Sequence, residues 1–208
     1  MNLKPSFLHR LRSLLGLDQG EDSESILHTL SRAIEAKDPH TLGHADRVSQ
    51  YAVELGRSLG VNNADLHTLH KGGLLHDIGK IAIPDAILLK PGKFTDDEFT
   101  TMKQHPVLGC EICQKLRSVQ DALPIIRHHH ERLDGSGYPD GLKGNSISPL
   151  VRIVTIVDIY DALRSRRTYK EAFSIDISFK IMWEEAAKGW WDKDVLARWE
   201  KLIRSKNA

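Results

Sequence analysis

Apolar residues recur along most of this chain at intervals of three and four, the spacing of one face of an α-helix, and polar residues fill the positions between them. Phe7, Leu8, Leu11, Leu14 and Leu15, flanked by Lys4, His9, Arg10 and Arg12, predict a short basic amphipathic helix that packs on its own domain or on a dimer mate. Asp18 to Asp22 read as the hinge after it. Ser23 then caps a helix with Ile26, Leu27, Leu30, Ala33 and Ile34 on one face. Asp38-Pro39 ends that helix and opens another, with Pro39 at the first helical position. The inward face of this second helix is His44, Val48, Tyr51, Leu55 and Leu59, and Gly60 closes it.

A third helix from Asn63 aligns Leu66, Leu69 and Gly73 with His76 and Asp77 and breaks at Gly79. Lys80 to Pro91 predict an irregular connection. Thr95 to Glu98 form a capping box that opens a helix ending near His105, with Pro106 biasing His105 away from helical geometry and so aiming its side chain. From Val119, the face Ala122, Ile125, Ile126, His129 and His130 runs inward and leaves His128 as a bystander. Ser148-Pro149 starts a helix through Leu163, although the β-branched run Val151 to Ile159 could also be read as a buried strand; the cap and the length favour helix. Asp158 lies among its apolar residues, with Asp161 one turn on as its support. Two further amphipathic helices carry Phe179, Met182, Trp183 and Ala186, then Val195, Leu196, Trp199 and Leu202, separated by Gly189.

Composition narrows the class without naming a function. At 208 residues and 40% apolar content, one domain plus a short arm can bury a core without disulfides. Twenty-nine basic residues against 28 acidic ones leave a net charge of +1, so no bulk field recommends nucleic acid as a partner. No apolar run reaches the roughly 18 residues that cross a bilayer, and His9, Arg10 and Arg12 interrupt any signal-peptide core, so a cytoplasmic protein is expected. Cys110 and Cys113 have CxxC spacing but no βαβ context, and read as inert thiols.

The chemistry lies in where the 11 histidines fall. Separate helices turn His44, His76, Asp77, His129, His130 and Asp158 toward the core, with His105 at a helix end. A buried carboxylate without a cation is costly, and imidazoles packed together are best satisfied by sharing one. Five imidazoles and two carboxylates suit first-row transition metals better than calcium or magnesium, and exceed the needs of one tetrahedral zinc. After the histidines, Gly135 and Gly137 supply backbone freedom and Pro139 a turn that presents Tyr138 to a ligand.

These motifs closely resemble the HD-GYP family, the branch of the HD phosphohydrolases that hydrolyses cyclic di-GMP in bacteria. The matching pieces are Gly43-His44 with Arg47-Val48, His76 to Lys80, Met102 to Pro106, His129 to Glu131 with Asp134 to Pro139, Val157-Asp158 with Asp161 to Leu163, and Arg167 to Lys170. The resemblance spans roughly residues 23–205 and implies an all-α HD-domain bundle of about seven to nine helices around a metal centre, with residues 1–22 as arm and linker and 23–208 as the catalytic domain. It further implies two divalent ions, iron or manganese, although the ligand types would also accept zinc or nickel. Asp77 would bridge them, with His44, His76 and Asp158 on one and His105, His129 and His130 on the other. Lys80 would steady a phosphate, Arg167 and Lys170 would reach the other phosphate, and Gly137, Tyr138 and Pro139 would contact the nucleotide. The implied reaction linearises cyclic di-GMP to pGpG, with further cutting to GMP.

Thr168 departs from the proline usual in the family, which would loosen the loop from Arg167 to Lys170. The 20-residue arm is too short for a sensory module, so regulation is expected through partners, oligomerisation or expression. The partners implied are diguanylate cyclase (GGDEF) domains docking at the Tyr138 loop, and a homodimer. His40, four residues before His44, becomes a candidate third-metal ligand if Pro39 begins the helix, since i and i+4 share a face. Two alternatives stay open: an HD phosphohydrolase for another cyclic dinucleotide or nucleotide, and a non-catalytic module that senses cyclic di-GMP or docks a cyclase.

Overall fold

The structure, a computed structural model, describes residues 21–38, 41–165 and 172–207. The arm 1–20, His40, Arg167, Thr168 and Lys170 therefore lie outside the described residues. Within them the chain is all-helical, with nine α-helices longer than four residues, matching the expected all-α bundle. They are α1 (Glu21–Lys37), α2 (His44–Ser58), α3 (Asn63–Leu75), α5 (Asp96–Met102), α6 (His105–Cys113), α7 (Leu123–His128), α8 (Pro149–Arg164), α9 (Ile175–Ala187) and α10 (Lys193–Lys206); α4 is the single turn Asp85–Leu88.

Several boundaries follow their capping chemistry. Asn62, Ser148, Ser174 and Asp192 each accept a backbone N–H from the first turn of α3, α8, α9 and α10, and Thr95 with Glu98 closes the expected capping box on α5. Others differ from expectation. Ser23 lies within helix α1 (Glu21–Lys37) rather than capping its start. Its buried stripe is Leu27, Ser31, Ile34 and Glu35, while Ile26 and Ala33 face outward. Helix α2 starts at His44 and not at Pro39, because Gly43 turns left-handed at φ 68° immediately before it. Leu59, at the far end of the expected stripe, is exposed.

Helix α3 ends at Leu75, one residue before the histidine, and a 3-10 turn over Ile78–Ala82 begins the connection expected to be irregular. His105 opens α6, with Pro106 inside its first turn where a missing N–H costs nothing, so the proline starts a helix here instead of diverting one. The β-branched run after Ser148 is helical, as its cap predicted.

Two apolar cores form. One joins α2, α3, α8, α9 and α10 through Val48, Leu55, Leu69, Val157, Phe179 and Trp199. The other joins α1 to the end of α3, to α6 and to α7 through Leu27, Ile34, Leu75, Ile78, Cys113 and Ile126. A fully buried side chain of this size contributes roughly 1.5–3 kcal/mol, so both cores hold their helices firmly. Ile125 belongs to the first and Ile126 to the second, and the tandem histidines follow directly. Cys113 is buried and burial pushes its thiol up to about 11, in keeping with an unreactive role.

Candidate metal centre

Six of the seven expected ligands are buried: His44, His76, Asp77, His105, His129 and Asp158; His130 is half-buried beside them. They arrive from the start of α2, the end of α3, the start of α6, the end of α7 and the middle of α8. Close backbone approach makes this convergence possible. A Cβ on Gly79 would stand 1.8 Å from the His105 carbonyl oxygen and 2.5 Å from the Gly109 nitrogen, so only glycine lets the turn after Asp77 lie directly on α6.

The imidazoles share one orientation. His76 Nδ1 is 2.8 Å from the Gly73 carbonyl, His105 Nδ1 is 2.8 Å from that of Met102, and His129 Nδ1 is 2.9 Å from that of Ile126. A carbonyl only accepts, so each Nδ1 carries the hydrogen and each Nε2 turns a lone pair inward. Two such lone pairs, on His105 and His129, face each other at 3.3 Å. His76 Nε2 is buried with no hydrogen-bond partner. These are acceptors without a donor, the arrangement that metal-binding histidines adopt when carbonyls hold their other nitrogens.

Asp77 stands between two groups. Its Oδ1 lies 3.3 Å from His105 Nε2 and 3.8 Å from His129 Nε2; its Oδ2 lies 3.4 Å from His76 Nε2 and 4.0 Å from His44 Nε2. Asp158 Oδ1 closes the second group at 3.2 Å from His44 Nε2 and 3.7 Å from His76 Nε2. Atoms bound at about 2.1 Å to a common cation sit about 3–3.4 Å apart, so the spacing fits divalent metal on both sides of Asp77. Asp77, His105, His129 and His130 have ligand atoms mutually within 4.8 Å, and so do His44, His76 and Asp77.

The local fields agree. Burial would raise the Asp77 carboxyl, but the Lys80 charge beside it outweighs burial and holds it well below the usual range. Burial likewise works against ionised Asp158, and the hydrogen bond and charge of His44 prevail and hold it low. Burial lowers His130 to about 3 and drives His129 well below its ordinary value, so both rings are neutral and ready to donate electron pairs. His44 goes the other way. Burial disfavours its charge, yet Asp158 and Asp161 raise it to about 9.

Residues around the cluster refine the sequence picture. Asp161 supports His44 rather than Asp158: its Oδ2 accepts from His44 Nδ1 at 2.7 Å, and Arg47 clamps the same carboxylate at 2.6 and 2.9 Å. Lys80 donates to Asp77 Oδ2 at 2.6 Å. Gly137 has no left-handed backbone; it is needed because a Cβ would come within 2.4–2.6 Å of Arg132 N, Glu131 Cα and His130 O. The Tyr138 ring packs 4.8 Å from that of His130 and, edge-on, 6.4 Å from Phe99. Pro139 is half-buried next to it. His128 pairs with Asp140 outside the cluster, a bystander as expected.

Two supports escaped the sequence reading. Glu131, 2% exposed, accepts backbone N–H groups of Asp140, Gly141 and Leu142 and so ties down the loop that carries Tyr138. Thr155 donates to the His129 carbonyl at 2.9 Å. A glutamate directly after two inward histidines was the available signal for the first; nothing in sequence marked the second.

A family model described as HD domain matches residues 28–195. The chain belongs to the HD-domain family. It is 41% identical over 180 residues to the cyclic di-GMP phosphodiesterase response regulator RpfG of Xanthomonas campestris, covering 85% of this chain and 48% of that protein. It is 39% identical over 184 residues to the 3'3'-cGAMP-specific phosphodiesterase 3 of Vibrio cholerae, covering 88% and 39%. A solved structure of a V. cholerae cyclic GMP-AMP-specific phosphodiesterase superimposes with a TM-score of 0.56 at 31% identity, over 89% of this chain and 42% of that one. The chain thus spans half or less of the length of these relatives. HD-domain membership and relatives named as cyclic dinucleotide phosphodiesterases bear out the resemblance seen in sequence. No helix among the described residues is long and apolar enough to cross a membrane.

Proposed function

We propose that this chain is a metal-dependent phosphodiesterase of the HD-GYP branch that opens cyclic di-GMP to linear pGpG and cuts that product on to GMP. The observation that carries the reading is the division of ligands by Asp77, whose two carboxylate oxygens face separate groups of inward imidazole nitrogens. His44, His76 and Asp158 would hold one divalent ion and His105, His129 and His130 the other, with Asp77 shared; iron and manganese are the metals we favour. When bound, such a pair supplies Lewis acidity toward the phosphodiester and activates the attacking water.

The chain's own groups do the rest. Lys80, next to Asp77, brings a fixed positive charge to the place where the scissile phosphate would lie. Arg167 and Lys170 are proposed to hold the second phosphate. Tyr138, whose ring lies against His130, is better placed to pack on a nucleotide at the centre than to reach outward to a GGDEF partner. We keep two ions as the count.

A second reading has a specific observation behind it: relatives of similar identity are named as specific for 3'3'-cGAMP. The test is a substrate panel. Purified full chain loaded with Mn²⁺ or Fe²⁺ is incubated with cyclic di-GMP, 3'3'-cGAMP and pGpG, and products are resolved by chromatography. Faster consumption of cyclic di-GMP, with pGpG then GMP appearing, is expected. Preferential cleavage of cGAMP would transfer the assignment to the second reading, and no cleavage of any cyclic dinucleotide would reject both.

A further inference from the structure

A second cluster of metal-binding side chains lies outside this centre and shares no residue with it. We infer that Glu24, His28 and His70 form a surface site for one divalent transition-metal ion of the zinc class, which staples α1 onto α3. Glu24 and His28 are i and i+4 on α1, so both project from one face, and His70 meets them from α3. Glu24 Oε1 lies 2.5 Å from His70 Nε2 and 3.4 Å from His28 Nε2, and ligand atoms of the three residues lie within 4.8 Å of one another.

The outer nitrogen of each ring has a polar neighbour. Ser49 Oγ donates to the His70 carbonyl at 3.0 Å, which leaves its oxygen to accept from His70 Nδ1 at 2.7 Å. His70 Nε2 meets Glu24 Oε1 at hydrogen-bond distance, a contact that an entering cation would replace and widen to the about 3–3.4 Å of atoms sharing one ion. On the other ring, His28 Nδ1 lies 3.6 Å from Asp46 Oδ1, and Arg32 anchors the same carboxylate at 3.0 Å. A carboxylate near one imidazole and a hydroxyl bonded to the other are the kinds of group that steady metal-bound histidines.

Glu24 Oε1 is the shared contact of two imidazole nitrogens, one from each helix. One cation at that point would bind all three groups at once, with their ligand atoms already within 4.8 Å of one another. Two imidazoles and one carboxylate make an N₂O set that water completes to four, and side-chain exposures of 50% for Glu24, 47% for His28 and 30% for His70 leave room for that water.

The test is independent of the phosphodiesterase reading because it counts metal and not turnover. Chelator-stripped full chain, its His28→Ala/His70→Ala variant and its Glu24→Gln variant are titrated with Zn²⁺ and dialysed, and zinc per chain is measured. The native chain is expected to retain about one zinc more than the double variant, and Glu24→Gln to weaken that additional binding about tenfold or more. Hydrolysis by the manganese-loaded variants should match that of the native chain. If the double variant loses its helical circular dichroism, Glu24→Gln alone decides. Equal zinc content and affinity in native and variant proteins would overturn the site and leave an ordinary ion pair between His70 and Glu24.

Discussion

Asp161 Oδ2 accepts a 2.7 Å hydrogen bond from His44 Nδ1 while both oxygens of the carboxylate are clamped by Arg47, so one buried carboxylate fixes the direction in which His44 presents Nε2. Asp161→Asn keeps the shape and removes the charge. We expect it to fold, and to lose about 10–100-fold in metal affinity, since that is the usual cost of removing a partner behind a metal-bound histidine. Metal titration of the stripped variant checks this; an affinity equal to that of the native chain would show that His44 needs no such support.

The same contacts set a pH dependence. In metal-free protein the folded-state value of His44, about 9, lies above its ordinary 6.5. Its contribution to stability is thus complete below about 6.5 and disappears as pH rises through about 9. Metal binding must expel that proton, whereas His129 and His130 are already neutral. Calorimetry in buffers of different ionisation enthalpy should therefore find proton release on metal loading at pH 7 that fades above pH 9. Release that persists unchanged above pH 9 would assign the proton elsewhere.

Gly79→Ala places a methyl carbon where the His105 carbonyl oxygen already is. The turn after Asp77 has to lift from α6, which separates Asp77 from His105 and costs about 1–3 kcal/mol. Thermal melting and metal content should fall together. A native melting temperature with full metal content would mean that the two backbones do not pack as described.

Much of this was legible in sequence, and the reasons differ by residue. His44, Val48 and Leu55 share a helical face, so the inward direction of His44 followed from periodicity; so did those of His129 and His130 behind Ile125 and Ile126. Caps such as Thr95 with Glu98 and Ser148 with Pro149 were equally readable, because each is a local hydrogen-bond pattern. The start of α2 was missed because Gly43 acts through a left-handed turn that competes with the proline signal at 39. Asp161 was assigned to Asp158 because spacing along one helix says nothing of a partner 117 residues away. The role of Gly137 was misjudged for a related reason: a glycine required for close packing looks, in sequence, the same as one required for its φ.

Glu131→Gln tests the loop that carries Tyr138. The buried carboxylate accepts three backbone N–H groups, and a carboxamide presents one accepting oxygen in place of two. We expect about 1–3 kcal/mol of lost stability and a raised KM for the dinucleotide, with metal content unchanged. An unchanged KM in a destabilised variant would restrict Glu131 to a folding role.

The claim that two divalent ions sit on either side of Asp77 is tested most directly by measuring metal per chain and cyclic di-GMP turnover on the same samples of native protein and Asp77→Ala, reconstituted anaerobically with Mn²⁺ or Fe²⁺. The native chain should bind about two ions in this centre and produce pGpG, and Asp77→Ala should lose both metal and turnover while keeping its helical circular dichroism. Normal turnover by a helical Asp77→Ala protein would contradict the account.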